Sequence, residues 1–263
     1  MRVLLSTIGS RGDVQPLVAL ALQLKALDQE IRLCVPPDFQ EWIESLGMPV
    51  TPIGPQLRPT GKASPITAPP SPEQMRQMME ATVATQFETI TSAAKGCDMI
   101  VGATALQIAA PSVAESLGLP YIFVAYCPAV LPSPHHAPPA LGMLGDTPGA
   151  SITDYSEQWM IDAQRWNAMW GDLLNARRIA LGLTPVDDVR SHVLTERPWL
   201  AADPTLAPWP SPADHSVFQT GAWLLPDERP LSAELEAFLD AGEPPIYFGF
   251  GSIRAPEGLS QVM

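Results

Sequence analysis

The sequence predicts an α/β fold, a Rossmann-like parallel sheet with helices on both faces. Three observations predict it. The chain opens on a continuous apolar run, Val3 to Ile8, as expected of a strand covered on both faces. Runs of this kind then alternate with segments of helical periodicity in the order βαβαβ. Glycine-bearing turns follow two of the apolar runs, at Gly9–Asp13 and Gly249–Ser252.

The elements follow in order. After the first strand, residues 9–15 form a loop, and Pro16 suits a first helical position, where its missing N–H costs nothing. Leu17, Leu20, Ala21, Leu24 and Leu27 share one face of the helix that follows. Ile31 to Val35 is a second strand, ended by two prolines. Phe39, Trp42, Ile43 and Leu46 mark a short helix stopped by Gly47, and Val50 to Ile53 is a third strand. Residues 55–70 are a Pro/Gly/Thr-rich loop. Ser71-Pro72-Glu73-Gln74 then combines an N-cap, a proline at the first helical position and a capping-box glutamine. Met75, Met79, Val83, Phe87, Ile90 and Ala94 recur at helical steps behind it. Met99 to Val101 is a strand, residues 107–117 a helix ended by Gly118, and Tyr121 to Ala125 a further strand. The proline-rich stretch 127–150 has no period, and a loop of that length is usually a binding loop or disordered. Ser151 to Asp154 caps a helix to about Leu181, which carries Trp159, Trp166 and Trp170 on one broad face. Short strands at 199–202 and 217–219 close this part. A polar connector leads to a helix from about Ser232 to Asp240, and Pro245 to Ser252 reads as the first strand of a new domain. The expected division is 1–222, a linker and helix at 223–243, and the start of a second domain at 244–263.

Composition narrows the function. Lys+Arg number 15 against 28 Asp+Glu, a formal net charge of −13. Such a surface repels nucleic acid and anionic membranes. No apolar stretch is long enough to span a bilayer. Cys34, Cys97 and Cys127 are an odd set without ligand spacing, so neither a disulfide framework nor a metal site is expected, and a reducing cytoplasm is. Thirty prolines, roughly twice ordinary usage, favour extended loops.

Chemistry is sought in the loops after the strands. Neither glycine turn matches a dinucleotide fingerprint or a phosphate loop, yet a glycine turn before a helix start suits an anion. Asp13 stands at the mouth of the sheet, where the helix start and nearby Arg11 favour its charged form and ready it to accept a proton. Capping of the helix, or pairing with Arg11, is the alternative role. For an apolar ligand, the available material is Met75 and Met79, the pair His135-His136, and the Trp159 helix.

Gly9-Ser10-Arg11-Gly12-Asp13-Val14-Gln15-Pro16, together with Pro244-Pro245-Ile246-Tyr247-Phe248-Gly249-Phe250-Gly251-Ser252, resembles the two-domain, GT-B fold glycosyltransferases of family 1. The likeness is to the vancomycin-group antibiotic and sterol branches. Trp199-Leu200-Ala201-Ala202-Asp203-Pro204, Thr220-Gly221-Ala222-Trp223 and Pro226-Asp227-Glu228-Arg229-Pro230-Leu231 look especially like the antibiotic branch. The resemblance implies an amino-terminal domain that binds the acceptor and a second domain that binds a UDP- or dTDP-linked sugar. It implies inverting transfer of a hexose, without a metal or cofactor, to a hydroxyl of a large lipophilic acceptor such as a glycopeptide, sterol or polyketide. Asp13 matches the base, and Ser10, Arg11, Gly12 and Ser252 match positions near the donor. Many members carry a histidine in the first loop; here His135 or His136 is the available substitute.

The family pattern calls for a His/Gly-rich donor loop beyond residue 263. The expectation is therefore an acceptor-binding part, inactive alone. A non-catalytic ligand-binding module of the same fold is the alternative, and a dinucleotide oxidoreductase is a distant third.

Overall fold

The computed structural model describes residues 1–56, 71–139, 153–211, 216–227 and 229–247. It divides into two units, Met1–Leu224 and Leu225–Met263.

The first unit is built on a seven-stranded sheet in the order β3-β2-β1-β4-β5-β6-β7. The strands are β1 (Arg2–Thr7), β2 (Glu30–Val35), β3 (Val50–Pro52), β4 (Met99–Ala103), β5 (Tyr121–Ala125), β6 (Trp199–Leu200) and β7 (Phe218–Gln219). Every pairing is parallel. The order runs outward from β1 in both directions, so the chain reverses its direction of growth between β1 and β4. Ligands of open α/β sheets bind at such a point, beyond the carboxyl ends of the strands.

Two helical layers cover the sheet. Alternate strand residues Leu4, Ile100, Phe123 and Leu200 are buried in one cluster with Ile90 of α3 (Pro72–Ala93), Val113 of α4 (Ala110–Leu117), Leu174 of α5 (Tyr155–Ala180) and Val193 of α6 (Val189–Leu194). The other parity, Leu5, Leu33, Val101 and Val124, is buried too, as are Val14, Leu17, Val18 and Ala21 of α1 (Arg11–Ala26). Period two in the strands and period 3.6 in the helices meet at these faces. A turn at Pro37–Phe39 leads into α2 (Gln40–Ser45), and Gly47, Gly118 and Gly182 end α2, α4 and α5 with positive φ, as expected of helix-terminating glycines.

The first helix departs from the sequence expectation. It begins at Arg11 rather than Pro16, so Arg11, Gly12 and Asp13 form its first turn and not a loop. Ser10 is the N-cap and Asp13 closes a capping box with it, which starts the helix well before the proline. Pro16 then sits inside the helix, where its missing N–H leaves the exposed Gly12 without that intrahelical partner. The Ser71–Gln74 box forms as expected, Ser71 Oγ accepting from the Gln74 N–H and Gln74 Oε1 accepting from the Ser71 N–H. Helix α4 starts three residues later than periodicity suggested, and α6 was not foreseen. Asp154 caps α5, its carboxylate accepting the Ser156 N–H. Residues 151–152 of the expected cap lie outside the described residues.

A polar network locks α4, α5 and α6 together. Arg178 Nη1 donates to Ser112 Oγ (2.9 Å) and to Glu115 Oε2 (2.8 Å). His192 Nε2 lies 2.8 Å from Ser112 Oγ and 3.3 Å from Arg178 Nη1. A guanidinium only donates, so Nε2 is the unprotonated, accepting nitrogen. Burial, and then repulsion by Arg178, lower the His192 pKa from 6.5 to about 4. The neutral imidazole therefore contributes stability that is complete above pH 6.5 and is lost as the pH falls from there to about 4. Allowing for partial exposure, the loss is about 2–3 kcal/mol. Replacing His192 by Gln is expected to flatten the fall in Tm across that window. Thermal unfolding from pH 7 to 4 measures it, and an unchanged slope would exclude His192 as its source.

The three cysteines are free, Cys34 and Cys97 buried and Cys127 exposed. Among the described residues, no helix is long and apolar enough to cross a membrane. In the second unit the described residues hold one helix, α7 (Ala233–Asp240), capped by Ser232, whose Oγ accepts the Leu235 N–H. The expected strand at 245–252 lies mostly outside the described residues; Ile246 and Tyr247, which are described, are exposed.

Candidate active site

The site is built where the strand order reverses. β1 delivers the chain to Gly9 and Ser10, and α1 starts at once. Asp13 is the third residue of that helix, and its carboxylate turns back. Asp13 Oδ2 accepts from the Ser10 N–H at 2.6 Å and from the Ser10 hydroxyl at 3.1 Å. Both bonds hold the carboxylate at the start of the helix, as in a capping box. Oδ1 makes no hydrogen bond among the described residues, and Asp13 is half-buried rather than sealed off. One oxygen is thus pinned and the other is available, the arrangement a positioned base requires.

Gly9 makes room for this. A Cβ built on Gly9 would fall on Asp13 Oδ2 and within 2.5 Å of Asp13 Cγ. The carboxylate occupies the volume that any other residue type at position 9 would fill.

Across the reversal point, the segment after β4 is stitched to its surroundings. Thr104 Oγ1 donates to the Ile8 carbonyl at 3.3 Å, and Thr104 takes a left-handed backbone, φ +72°, sparsely populated by β-branched residues. The buried Gln86 of α3 donates to the Leu106 carbonyl (2.9 Å) and accepts the Ala109 N–H (3.1 Å). Tyr126, directly after β5, donates its phenol to the Asp13 carbonyl at 3.1 Å. Sequence reasoning missed Thr104, Gln86 and Tyr126, because each acts through a partner distant along the chain.

The other expected site residues fall into distinct places. Arg11 does not pair with Asp13. Its Nε donates to Gln15 Oε1 (2.8 Å), and its guanidinium lies over the Trp42 ring at 5.0 Å. Gly12 is exposed in the first turn of α1, where backbone N–H groups have no intrahelical acceptor. Ser252 lies outside the described residues. Met75 and Met79 share one face of α3, both half-buried, and Met79 packs on the core.

His136 and Trp159 are brought together, and His135 is not. The rings of His136 and Trp159 meet edge-on with centroids 5.9 Å apart, and Trp209 approaches the same imidazole at 6.4 Å. The Trp159 indole N–H donates to the His136 carbonyl at 2.9 Å. Arg190 lies over the Trp159 ring, donates to the Trp159 carbonyl, and pairs with Asp162 at 3.2 Å. Trp159 is only 5% exposed, so it supports this wall from within. His136 Nε2 is 3.0 Å from the Leu131 carbonyl, which can only accept, so that nitrogen carries the proton. His135 is exposed.

Residues 3–132 match the family model described as "Glycosyltransferase family 28 N-terminal domain". The resemblance drawn from the motifs was to family 1; the model that matches carries the number 28. The chain is 48% identical to "Glycosyltransferase GtfE" of Amycolatopsis orientalis, over 100% of this chain and 63% of that protein. It is 48% identical to the "Vancomycin aglycone glucosyltransferase" of the same organism, over 97% of this chain and 62% of that protein. For "Glycosyltransferase GtfC", also of A. orientalis, the identity is 51%, over 97% and 61%. The chain thus spans about three fifths of the length of these relatives. Among solved structures, the kitacinnamycin glycotransferase is similar with a TM-score of 0.56 at 17% identity, over 89% of this chain and 56% of that one. The calicheamicin glycosyltransferase gives 0.53 at 14%, over 86% and 55%. At such identities the likeness shows the fold, that of the GT-B amino-terminal domain. The motif order of the vancomycin group and the sheet order of this fold are both present, and residues 3–132 are similar to a glycosyltransferase family 28 N-terminal domain.

Proposed function

We propose that this chain is the acceptor-binding part of an inverting glycosyltransferase that moves a hexose from a UDP- or dTDP-linked donor to a hydroxyl of a large lipophilic natural product, of the glycopeptide kind. One observation carries the reading. At the reversal point of the sheet, Asp13 has one carboxylate oxygen held by Ser10 and the other uncommitted. In the proposed step the acceptor O–H loses its proton to Asp13 Oδ1 as its oxygen bonds to the anomeric carbon. The bond from that carbon to the diphosphate oxygen breaks, and the nucleoside diphosphate leaves with the electron pair. Charge grows on the leaving group, where the first N–H groups of α1, at Arg11 and Gly12, can stabilise it. The side chains of Ser10 and Arg11 are already engaged within the turn, so donor contact here runs through the backbone. Ser252 is proposed to touch the diphosphate. Met75, Met79, His135, His136 and the wall held by Trp159 are proposed to face the acceptor.

The names of the relatives support this reading, and no observation favours the non-catalytic module. The cytoplasm is the proposed compartment, where three free thiols persist. Because the chain spans about three fifths of its relatives, transfer is proposed to need the remainder. The test joins this chain to the part of GtfE beyond the match, and supplies UDP-glucose or dTDP-glucose with vancomycin aglycone. A product heavier by one hexose is expected from the joined protein and not from the 263-residue chain. If the joined protein makes no product while GtfE does under the same conditions, the proposal fails. Product from the 263-residue chain by itself would refute the need for a remainder.

A further inference from the structure

The turn that carries Asp13 is weakly anchored by its own residues. Arg11 and Gly12 are exposed, Arg11 reaching outward to Gln15 and over the Trp42 ring, and the buried face of α1 begins at Val14. Ser10 and Asp13 hold each other, which fixes the carboxylate to the turn but not the turn to the sheet. Among the described residues, the long-range hydrogen bond to this turn comes from Tyr126, whose phenol donates to the Asp13 carbonyl across 113 positions of sequence.

That donor is permanent. Burial, with the Asp13 carboxylate adding to it, raises the Tyr126 pKa well above its ordinary value, so the phenol stays a neutral O–H. The ring is held as well. Trp223 meets it edge-on with centroids 6.2 Å apart, and Trp199 of β6 meets Trp223 in turn at 6.4 Å. Phe218 of β7 lies 6.3 Å beyond Trp199. This row of rings runs from the last two strands to the helix start that bears Asp13. Such edge-to-face pairs are favourable beyond the area they bury.

We propose that Tyr126 is a positioning residue for Asp13, holding the first turn of α1 against β5 so that Oδ1 meets the acceptor hydroxyl. The inference rests on Asp13 as the base. Its value follows from geometry, because a displacement of about 1 Å at a reacting group can cost about a hundredfold in rate.

Tyr126→Phe removes the O–H and keeps the ring. In the protein joined to the remainder of GtfE, with UDP-glucose and vancomycin aglycone, kcat is expected to fall about tenfold, with KM for both substrates within about twofold. In the 263-residue chain the variant is expected to shift the amide resonance of Ser10, whose N–H donates to Asp13 Oδ2, while Tm stays within about 2 °C. Incorporating 3-fluorotyrosine at position 126 restores the O–H and is expected to restore kcat. An unchanged kcat overturns the proposal. So does a fall in kcat and Tm together with an unshifted Ser10 amide, which marks a merely structural tyrosine. Asp13→Asn, run beside it, separates the two readings. Full rate in D13N overturns the base and this inference with it. An inactive D13N beside a fully active Y126F overturns the positioning alone.

Discussion

Asp13→Asn is expected to lower kcat of the joined protein about a thousandfold, the middle of the range for a general base, with KM for donor and acceptor changed little. The substitution isolates the chemistry from the structure. An asparagine side-chain oxygen can still accept the Ser10 N–H that Asp13 Oδ2 accepts at 2.6 Å, so the start of α1 survives. What is lost is the capacity of the second oxygen to take a proton. Thermal stability is expected to fall by at most about 1 kcal/mol, the part of the helix-dipole and capping effect that depends on charge. The measurement is steady-state kinetics with UDP-glucose and vancomycin aglycone, beside circular dichroism of both proteins. A D13N protein within tenfold of the parent rate would remove Asp13 from the base role and leave it a helix cap.

Much of the architecture was legible because the signals were local. Continuous apolar runs gave β1, β2, β4 and β5, and the Ser71–Gln74 box and the glycines at 47, 118 and 182 marked helix ends. Pro16 misled because its tolerance at the first helical position outweighed the Ser10/Asp13 pair, which is a capping box in which Asp takes the place of the usual Glu or Gln. Helix α6 was too short to show a period, and its cap, Asp188 to the Ser191 N–H, lacks the capping-box Glu or Gln at the third helical position. At the site, the position of Asp13 could be read from the strand-to-helix order. Its orientation could not, since the carboxylate folds back on its own turn. Tyr126 left no local trace, because the bond that gives it meaning spans 113 positions. Trp159 carried a helical period that fits a core face as well as a ligand face, and only packing separates them; it lies 5% exposed beneath His136.

Gly9→Ala is expected to be the most informative change outside Asp13 itself. Position 9 is not in the left-handed region, so alanine meets no backbone penalty there. The added methyl would meet the Asp13 side chain, whose Oδ2, Cγ and Cβ all lie inside van der Waals contact, Cγ at 2.5 Å and Cβ at 2.8 Å from its position. Either the carboxylate swings away from Ser10, or the first turn of α1 shifts. Both move Oδ1 by the order of 1 Å, and a loss of about a hundredfold in kcat follows. Losing the two hydrogen bonds from Ser10 should also lower stability by about 1 kcal/mol, the usual scale of a lost helix cap. The signature that ties the two residues together is non-additivity. In a D13N background, Gly9→Ala has little catalytic rate left to remove, so its further effect on kcat should be less than about threefold, whereas independent sites would multiply. Kinetics of the four proteins in this cycle measure the coupling. A hundredfold loss in both backgrounds would place the effect of Gly9 elsewhere in the turn, and a full rate in the single G9A variant would show that the carboxylate does not need the position it occupies.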